Sequence, residues 1–131
     1  MTSMPARILY VDDEDDIREI AQMSLELEPE FEVRACSSGA EALADAAAWR
    51  PDLILLDVMM PDMDGPETLK RLAASQPTAS IPVVFITART QTHEVERYLN
   101  MGAVGVIAKP FDPLALAGEV RKLLASAAGR A

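Results

Sequence analysis

The polarity pattern along the chain alternates between short apolar runs and longer amphipathic stretches. Two runs, Leu53–Leu56 and Val83–Thr87, are continuously apolar, which is typical of strands covered on both faces. Arg7–Val11 and Val104–Ala108 are similar, and Phe31–Cys36 alternates like a strand nearer a sheet edge. The pattern therefore predicts five strands.

The stretches that follow these runs carry apolar residues at the spacing i, i+3, i+4, which predicts five helices. The apolar stripes are Ile17, Ile20 and Ala21; Leu43, Ala46 and Ala47; Leu69, Leu72 and Ala73; Val95, Tyr98 and Leu99; and Leu116, Val120, Leu123 and Leu124. Ser37 or Ser38 is the expected cap of the second helix, and Gly102 is the expected stop of the fourth. Pro66 and Pro113 suit the first turns of the third and fifth helices.

Strand and helix alternate five times, and this order predicts an α/β fold with a doubly wound, five-stranded parallel sheet. Right-handed crossovers place helices on both faces of such a sheet. The sequence shows neither an internal repeat nor a long linker, so we expect one domain over residues 1–131. Ligands of this architecture bind beyond the carboxyl ends of the strands.

Polar side chains stand at the carboxyl ends of four of the five predicted strands. They are Asp12 and Asp13 after the first strand, Asp57 after the third, Thr87 at the end of the fourth and Lys109 after the fifth. In a parallel sheet these ends share one edge, so three carboxylates, a hydroxyl and an ammonium group should converge. Three clustered carboxylates repel one another, and one lysine does not offset that charge. A hard cation such as Mg²⁺, which takes oxygen ligands, is the natural complement.

Such a cluster suits the transfer of a phosphoryl group to one carboxylate. The metal and Lys109 would neutralise charge on the phosphoryl oxygens, and Thr87 would donate a hydrogen bond to them. Taken singly, each residue has a simpler interpretation, because a lone aspartate after a strand is usually a turn or helix cap. Asp12 and Asp13 can also begin a helix, where acidic side chains suit the helix dipole. The convergence of four strand ends favours a functional site.

Composition and charge exclude several other functions. The formal net charge of -9 argues against direct binding of nucleic acid, whose phosphates require a basic surface. The single cysteine, Cys36, excludes an intramolecular disulfide and a cysteine-based zinc cluster. No apolar run approaches the length of a membrane span, and the first residues lack a signal-peptide pattern. We therefore expect a cytoplasmic protein without membrane contact.

Four motifs, in this order, resemble the receiver domain of bacterial two-component response regulators. They are "ILYVDDE", "LILLDVMMPDMDG", "VVFITA" and "GVIAKPF", and the similarity covers about residues 5–125. The resemblance implies a flavodoxin-like fold with strand order 2-1-3-4-5 and five helices. It also implies a signalling switch rather than an enzyme, with no chemistry beyond its own phosphorylation and dephosphorylation.

The resemblance assigns roles to the residues at the strand ends. Asp57 would accept a phosphoryl group from a histidine kinase or a phosphotransfer protein. Asp12, Asp13 and Asp57 would bind Mg²⁺, with the backbone carbonyl of Met59 as a further ligand. Met59 and Arg89 occupy variable positions that, in the family, influence how long the phosphoryl group lasts.

The resemblance also concerns the fourth and fifth strands. Lys109 would hold the phosphoryl group, its peptide bond to Pro110 would be cis, and Thr87 would move toward the phosphoryl oxygen. The family often carries an aromatic residue three positions before the lysine, where this chain has Val106. The flip of an aromatic ring that usually accompanies the threonine movement therefore cannot operate here in that form.

Several alternatives concern context or class. The chain can act alone through an unknown protein effector, as a monomer or as a phosphorylation-dependent dimer, or it can be a receiver excised from a longer response regulator or hybrid kinase. A Mg²⁺-dependent aspartyl phosphohydrolase is disfavoured, since such enzymes commonly place a second aspartate where this chain has Met59. A flavin or nucleotide module is disfavoured because "VDDEDD" stands where a glycine-rich loop would be needed.

Overall fold

Five parallel strands form one sheet in the computed structural model, which describes residues 4–128. The strands are β1 (Ala6–Val11), β2 (Phe31–Cys36), β3 (Leu53–Asp57), β4 (Val83–Thr87) and β5 (Gly105–Ala108). Their order in the sheet is β2-β1-β3-β4-β5, and every neighbouring pair is parallel. The predicted strand order is confirmed, and no strand limit differs from its prediction by more than one residue.

Five helices alternate with the strands, which confirms the predicted α/β class. They are α1 (Asp15–Glu26), α2 (Gly39–Trp49), α3 (Gly65–Ala74), α4 (Thr92–Asn100) and α5 (Leu116–Ala128). α1 and α5 pack on one face of the sheet, and the other three helices pack on the opposite face. Among the described helices, none combines the length and the apolar character needed to cross a membrane.

The sheet separates two apolar cores, and β1 contributes to both. Its side chains alternate, so that Ile8 and Tyr10 face α1 and α5, whereas Leu9 and Val11 face the other three helices. All residues of β3 and β4 are buried, as their continuous apolar runs predicted. The edge strand β2 alternates in burial, which also agrees with its sequence pattern.

The helix boundaries follow local chemistry. Ser38 rather than Ser37 caps α2, because Ser38 Oγ accepts a hydrogen bond from the Glu41 N–H at 3.1 Å. Pro66 lies in the first turn of α3, as predicted. Gly102 follows α4 with a φ of 113°, a conformation that favours glycine and that confirms the predicted stop.

The prediction for Pro113 is wrong in position. α5 begins at Leu116, so Pro113 lies in a turn before the helix rather than in its first turn. Asp112 forms that turn, because its Oδ1 accepts a hydrogen bond from the Leu114 N–H at 2.9 Å. The aspartate therefore organises the approach to α5.

Four positions of the predicted apolar stripes, Ile20, Ala47, Ala73 and Leu99, are more exposed than their pattern suggested. Ile20 in α1 is 47% exposed and Leu99 in α4 is 43% exposed. The part of α1 that packs against the sheet runs through Ala21 and Leu25, and in α4 it is Tyr98 that is buried. Ile20 and Leu99 thus lie at the margins of their stripes.

Candidate functional site

The three carboxylates of the acidic cluster, Asp12, Asp13 and Asp57, lie at the carboxyl edge of the sheet, where β1 and β3 end side by side. Val11 pairs with Leu56 in the register of these strands, so Asp12 and Asp57 follow on neighbouring strands. Each of the three residues offers one carboxylate oxygen, and these oxygens lie within 4.8 Å of one another. The fold therefore brings together the three aspartates that the sequence singled out.

Burial sets the electrostatics of the acidic cluster. Asp12 is fully buried and Asp57 is 3% exposed, whereas Asp13 is exposed. Burial, and then repulsion from Asp12, raises the pKa of Asp57 to about 6, although Lys109 acts in the opposite direction. The acidic cluster is therefore short of positive charge even with the lysine in place.

Lys109 supplies the cation of the site. Its Nζ lies 3.0 Å from Asp12 Oδ2, 3.4 Å from Asp57 Oδ1 and 3.4 Å from Glu14 Oε1. Burial by itself lowers the pKa of Lys109, but the contacts with Asp12, Asp57 and Glu14 outweigh it and raise that pKa overall. One protonated amine thus serves three carboxylates.

The backbone of β4 and β5 places the lysine. Ala108 at the end of β5 pairs with Thr87 at the end of β4, and the Lys109 N–H donates to the Thr87 carbonyl at 2.9 Å. The peptide bond between Lys109 and Pro110 is cis, which confirms that part of the resemblance. Lys109 therefore enters the site directly from the sheet.

Thr87 lies one residue beyond Ile86, the residue that pairs with Asp57 across β3 and β4. Its side chain is buried, and its Oγ1 accepts a hydrogen bond from the Arg89 N–H at 3.0 Å. A hydroxyl that accepts one hydrogen bond keeps its own hydrogen as a donor. The small neighbour Ala88 is exposed, which leaves room on the solvent side.

The loop between β3 and α3 holds the backbone of Asp57 in place. The Gly65 N–H donates to the Val58 carbonyl at 2.9 Å, and a β-carbon at position 65 would lie 2.7 Å from the Asp57 carbonyl oxygen. Glycine is required for so close an approach. Met59 belongs to this loop and is 68% exposed, and the role of its carbonyl as a metal ligand stays a prediction.

Two contacts of Asp12 were not anticipated from the sequence. The Tyr10 hydroxyl donates to Asp12 Oδ2 at 3.1 Å, and the Glu14 N–H donates to Asp12 Oδ1 at 3.0 Å. Burial, and then the Asp12 carboxylate, raises the pKa of Tyr10 above its ordinary value, so the phenol stays protonated. A signal for this contact exists in the sequence, because residues i and i+2 of a strand share a face and a buried tyrosine hydroxyl needs a partner.

The donor set of the acidic cluster fits Mg²⁺. All its side-chain donors are carboxylate oxygens, which this hard cation prefers over nitrogen or sulfur. The raised pKa of Asp57 means that its anionic form gains from positive charge beyond that of Lys109. The cluster therefore has both the ligands and the charge deficit expected of a magnesium site.

Comparison with known proteins agrees with this geometry. The family model described as "Response regulator receiver domain" matches residues 8–121. "Response regulator Rre1" of Synechocystis sp. is 38% identical over 121 residues, which cover 92% of this chain and 52% of that protein. The "DNA-binding response regulator MtrA" of Mycobacterium tuberculosis is 38% identical over 124 residues, which cover 95% of this chain and 53% of that protein. The chain thus spans about half the length of these curated relatives.

A solved structure resembles the chain along nearly its whole length. The chemotaxis protein CheY4 of Vibrio cholerae matches with a TM-score of 0.84 and 32% identity, over 92% of this chain and 99% of CheY4. Family model, sequence relatives and fold thus agree with one another and with the polar groups at the carboxyl edge of the sheet. The chain therefore belongs to the response regulator receiver domain family of two-component signalling systems.

Proposed function

We propose that this chain is a phosphorylation-controlled signalling switch that accepts a phosphoryl group on Asp57. The setting of this carboxylate carries the proposal. Asp57 is almost fully buried at the end of a central strand, beside two other aspartates and 3.4 Å from Lys109 Nζ. A carboxylate that only capped a turn would gain nothing from such repulsive neighbours, which disfavour its charged form.

The phosphoryl donor is proposed to be a histidine kinase or a phosphotransfer protein. One oxygen of Asp57 would form a bond to phosphorus while the bond from phosphorus to the donor's imidazole nitrogen breaks, and the nitrogen keeps the electron pair. Asp12, Asp13 and Asp57, with the Met59 carbonyl, would hold Mg²⁺. When bound, this ion supplies charge neutralisation for the phosphoryl oxygens.

Lys109 and Thr87 are proposed to contact the transferred group. The Lys109 amine, now shared among carboxylates, would offset the negative charge that phosphorylation adds beside it. The Thr87 hydroxyl, which accepts a hydrogen bond from the Arg89 N–H, still has its own hydrogen to donate to a phosphoryl oxygen. Both residues thus respond to the phosphoryl group without forming a covalent bond to it.

Output is proposed to pass to a protein effector. Phosphorylation adds charge at the carboxyl edge of the sheet and would shift an equilibrium between two conformations. Because position 106 in β5 is valine, the flip of an aromatic ring is not available there. Val106 is partly buried and packs against the core beneath α2, α3 and α4. We propose that the change instead travels from Thr87 into the following loop, through its contact with Arg89.

The cellular context is also a matter of proposal. The net charge of -9 favours protein partners over direct contact with nucleic acid, and a cytoplasmic location suits the kinase reaction. We propose one receiver domain over residues 1–131, a range that extends past the described residues 4–128. It would be a monomer or a phosphorylation-dependent dimer, and would work either alone or as part of a longer regulator.

Phosphorylation with a small donor tests the assignment. The chain is incubated with Mg²⁺ and acetyl phosphate, and intact-mass spectrometry follows the gain of one phosphoryl group. We expect an acid-stable, base-labile modification that is absent in Asp57→Asn and absent after chelation of Mg²⁺.

Asp62→Asn is the matched control, because Asp62 is an exposed carboxylate in the loop that follows Asp57. Its φ of 68° is one that asparagine tolerates, so the variant should fold and be modified like the wild-type chain. Modification that persists in Asp57→Asn, or that disappears in Asp62→Asn alone, would refute the proposed acceptor.

A further inference from the structure

Tyr10 connects the buried core to the acidic cluster. It lies in β1, its side chain is fully buried, and its ring packs in the core that α1 and α5 cover. Its hydroxyl donates to Asp12 Oδ2 at 3.1 Å. The other side chains of β1 are aliphatic apart from Arg7, so the Tyr10 hydroxyl is the one polar group among the core-facing side chains of this strand.

The hydrogen bonds of Asp12 show how firmly its carboxylate is held. Oδ1 accepts from the Glu14 N–H at 3.0 Å, and Oδ2 accepts from the Tyr10 hydroxyl and lies 3.0 Å from Lys109 Nζ. A carboxylate oxygen has two lone pairs, so these two donors occupy Oδ2 while Oδ1 keeps one position for a further ligand. Tyr10 thus helps to determine which Asp12 oxygen remains open.

We propose that Tyr10 is a positioning residue whose hydroxyl holds the Asp12 carboxylate in the orientation that receives Mg²⁺, and thereby raises the affinity of the acidic cluster for the ion. This inference rests on the proposed function, because it takes the acidic cluster to be a magnesium site. Partners that orient a metal ligand through hydrogen bonds commonly change metal affinity by about 10-fold or more when they are removed.

The packing of the Tyr10 ring makes its hydroxyl a rigid donor. Its ring meets the Phe111 ring edge to face, with centroids 6.5 Å apart and planes inclined by 69°. Phe111 belongs to the segment that follows Lys109 and Pro110, so the same tyrosine touches the loop that carries the lysine. A buried side chain that is held by its core and by a neighbouring ring loses little further freedom when it holds a ligand in place.

A purely structural role is the simpler interpretation of this hydrogen bond. The Asp12 carboxylate would then only satisfy the buried hydroxyl, and its loss would lower the stability of the fold without changing how the folded protein binds metal. Metal affinity measured on folded protein therefore separates the two interpretations, while unfolding experiments alone do not.

The test is the affinity of the whole chain for Mg²⁺ alone, measured by isothermal titration calorimetry without any phosphodonor. Tyr10→Phe keeps the ring and its contact with Phe111 and removes only the hydroxyl. Tyr98→Phe makes the same chemical change in a buried tyrosine that packs against Phe85 in the opposite core. We expect Tyr10→Phe to weaken Mg²⁺ binding about 10-fold and Tyr98→Phe to leave it within about 2-fold.

An affinity of Tyr10→Phe within about 2-fold of the wild-type value would overturn the inference. A second measurement uses the wild-type chain and so does not depend on how the variant folds. The chain has two tyrosines, whose ring-carbon NMR signals can be assigned with Tyr98→Phe. Addition of Mg²⁺ should shift the Cζ signal of Tyr10, because the acceptor of its hydroxyl binds the ion, and should leave that of Tyr98 in place. A Tyr10 signal that does not respond to saturating Mg²⁺ would also overturn the inference.

These outcomes are distinguishable from a failure of the proposed function. If Asp57 is phosphorylated but Tyr10→Phe binds Mg²⁺ normally, only the role of Tyr10 is wrong. If Tyr10→Phe weakens Mg²⁺ binding but the wild-type chain is not phosphorylated at Asp57, the positioning role stands and the acceptor assignment is wrong.

Discussion

Two charged groups of side chains in this molecule have similar compositions and different surroundings. At the carboxyl edge of the sheet, Lys109 contacts three carboxylates, of which Asp12 and Asp57 are buried. On the surface, Arg121 of α5 forms a second group, the surface cluster, with Glu28 and Glu30. Its Nη2 lies 2.9 Å from Glu28 Oε2, and its Nε donates to Glu30 Oε1 at 2.7 Å. The side chain of Arg121 is 45% exposed, so water reaches this cluster freely.

Burial, rather than the number of ion pairs, makes these two groups different. Water screens the surface cluster, so its ion pairs contribute little to stability and are sensitive to salt. In the acidic cluster, Asp12 and Asp57 are shielded from water, and this burial, followed by repulsion between the two carboxylates, raises the pKa of Asp57. Such an arrangement opposes folding, which is why a role in binding a cation and a phosphoryl group accounts for it better than a role in stability does.

The largest expected effect comes from removal of the buried cation. Lys109→Met would leave Asp12 and Asp57 without their shared partner, and we expect a loss of about 3 kcal/mol in the free energy of unfolding. Urea unfolding in the presence of a chelator, near pH 8, measures it. Mg²⁺ should recover part of the loss, because it supplies the missing positive charge. A loss no larger than that of Arg121→Met would contradict the contrast between the two clusters.

Removal of one buried negative charge should raise the free energy of unfolding rather than lower it. Asp57→Asn removes the cost of burying a charge and its repulsion with Asp12, and the raised pKa of Asp57 corresponds to a gain of up to about 3 kcal/mol in metal-free protein near pH 7. Excess Mg²⁺ should reverse this order, since the ion stabilises the wild-type chain more than the variant. Asp62→Asn is again the control, and its stability should not change. If Asp57→Asn were less stable than the wild-type chain without metal, burial and repulsion would not outweigh the contact between Asp57 and Lys109.

A smaller effect should appear in the pH dependence. The pKa of Asp57 is raised from 3.8 to about 6 in the folded state, so the folded protein binds a proton more tightly than the unfolded chain. The cost of its charge is present above about pH 6 and disappears as the pH falls toward about 4. Metal-free wild-type protein should therefore gain about 1 kcal/mol between about pH 7 and about pH 5, relative to Asp57→Asn. Parallel stability curves for the two proteins would argue against the raised pKa.

The smallest effect is expected at the surface cluster. Arg121→Met removes the exposed ion pairs with Glu28 and Glu30, and we expect a minor loss of stability that disappears at high salt. Thermal unfolding at low and high salt measures it. A loss that persists at high salt would point to packing of the arginine on the Phe31 ring, which its guanidinium approaches to 5.8 Å from the centroid.

Much of the fold was predictable because its signals are local. Continuous apolar runs predicted β3 and β4, and the alternation of Phe31–Cys36 predicted the partly exposed edge strand. Helix boundaries that depend on a single turn were harder to predict. Pro113 is compatible with a first helical turn by its own conformation, but the hydrogen bond from the Leu114 N–H to Asp112 places it before α5.

The residues of the candidate site were predictable from the sequence, whereas their hydrogen-bond and ion-pair partners were not. Four strand ends carry Asp12, Asp57, Thr87 and Lys109, and parallel topology alone requires them to share one edge. The contact between Tyr10 and Asp12 involves residues only two apart, but the apolar pattern of β1 does not indicate that the Tyr10 hydroxyl has a partner in the site. The contact of Glu14 with Lys109 joins residues 95 positions apart, and no local pattern indicates such a pair.

The sequence by itself determined the order of strands and helices, the residue types at each strand end and the deficit of positive charge, because these follow from periodicity and composition. Only the tertiary structure decided that Asp12 is fully buried while Asp13 is exposed, although the two are adjacent in the chain. It also decided that Lys109 is shared with Glu14 and that Tyr10 donates to Asp12. The physical reason is that burial and hydrogen-bond partners depend on segments distant in sequence, and burial determines how strongly each charge acts.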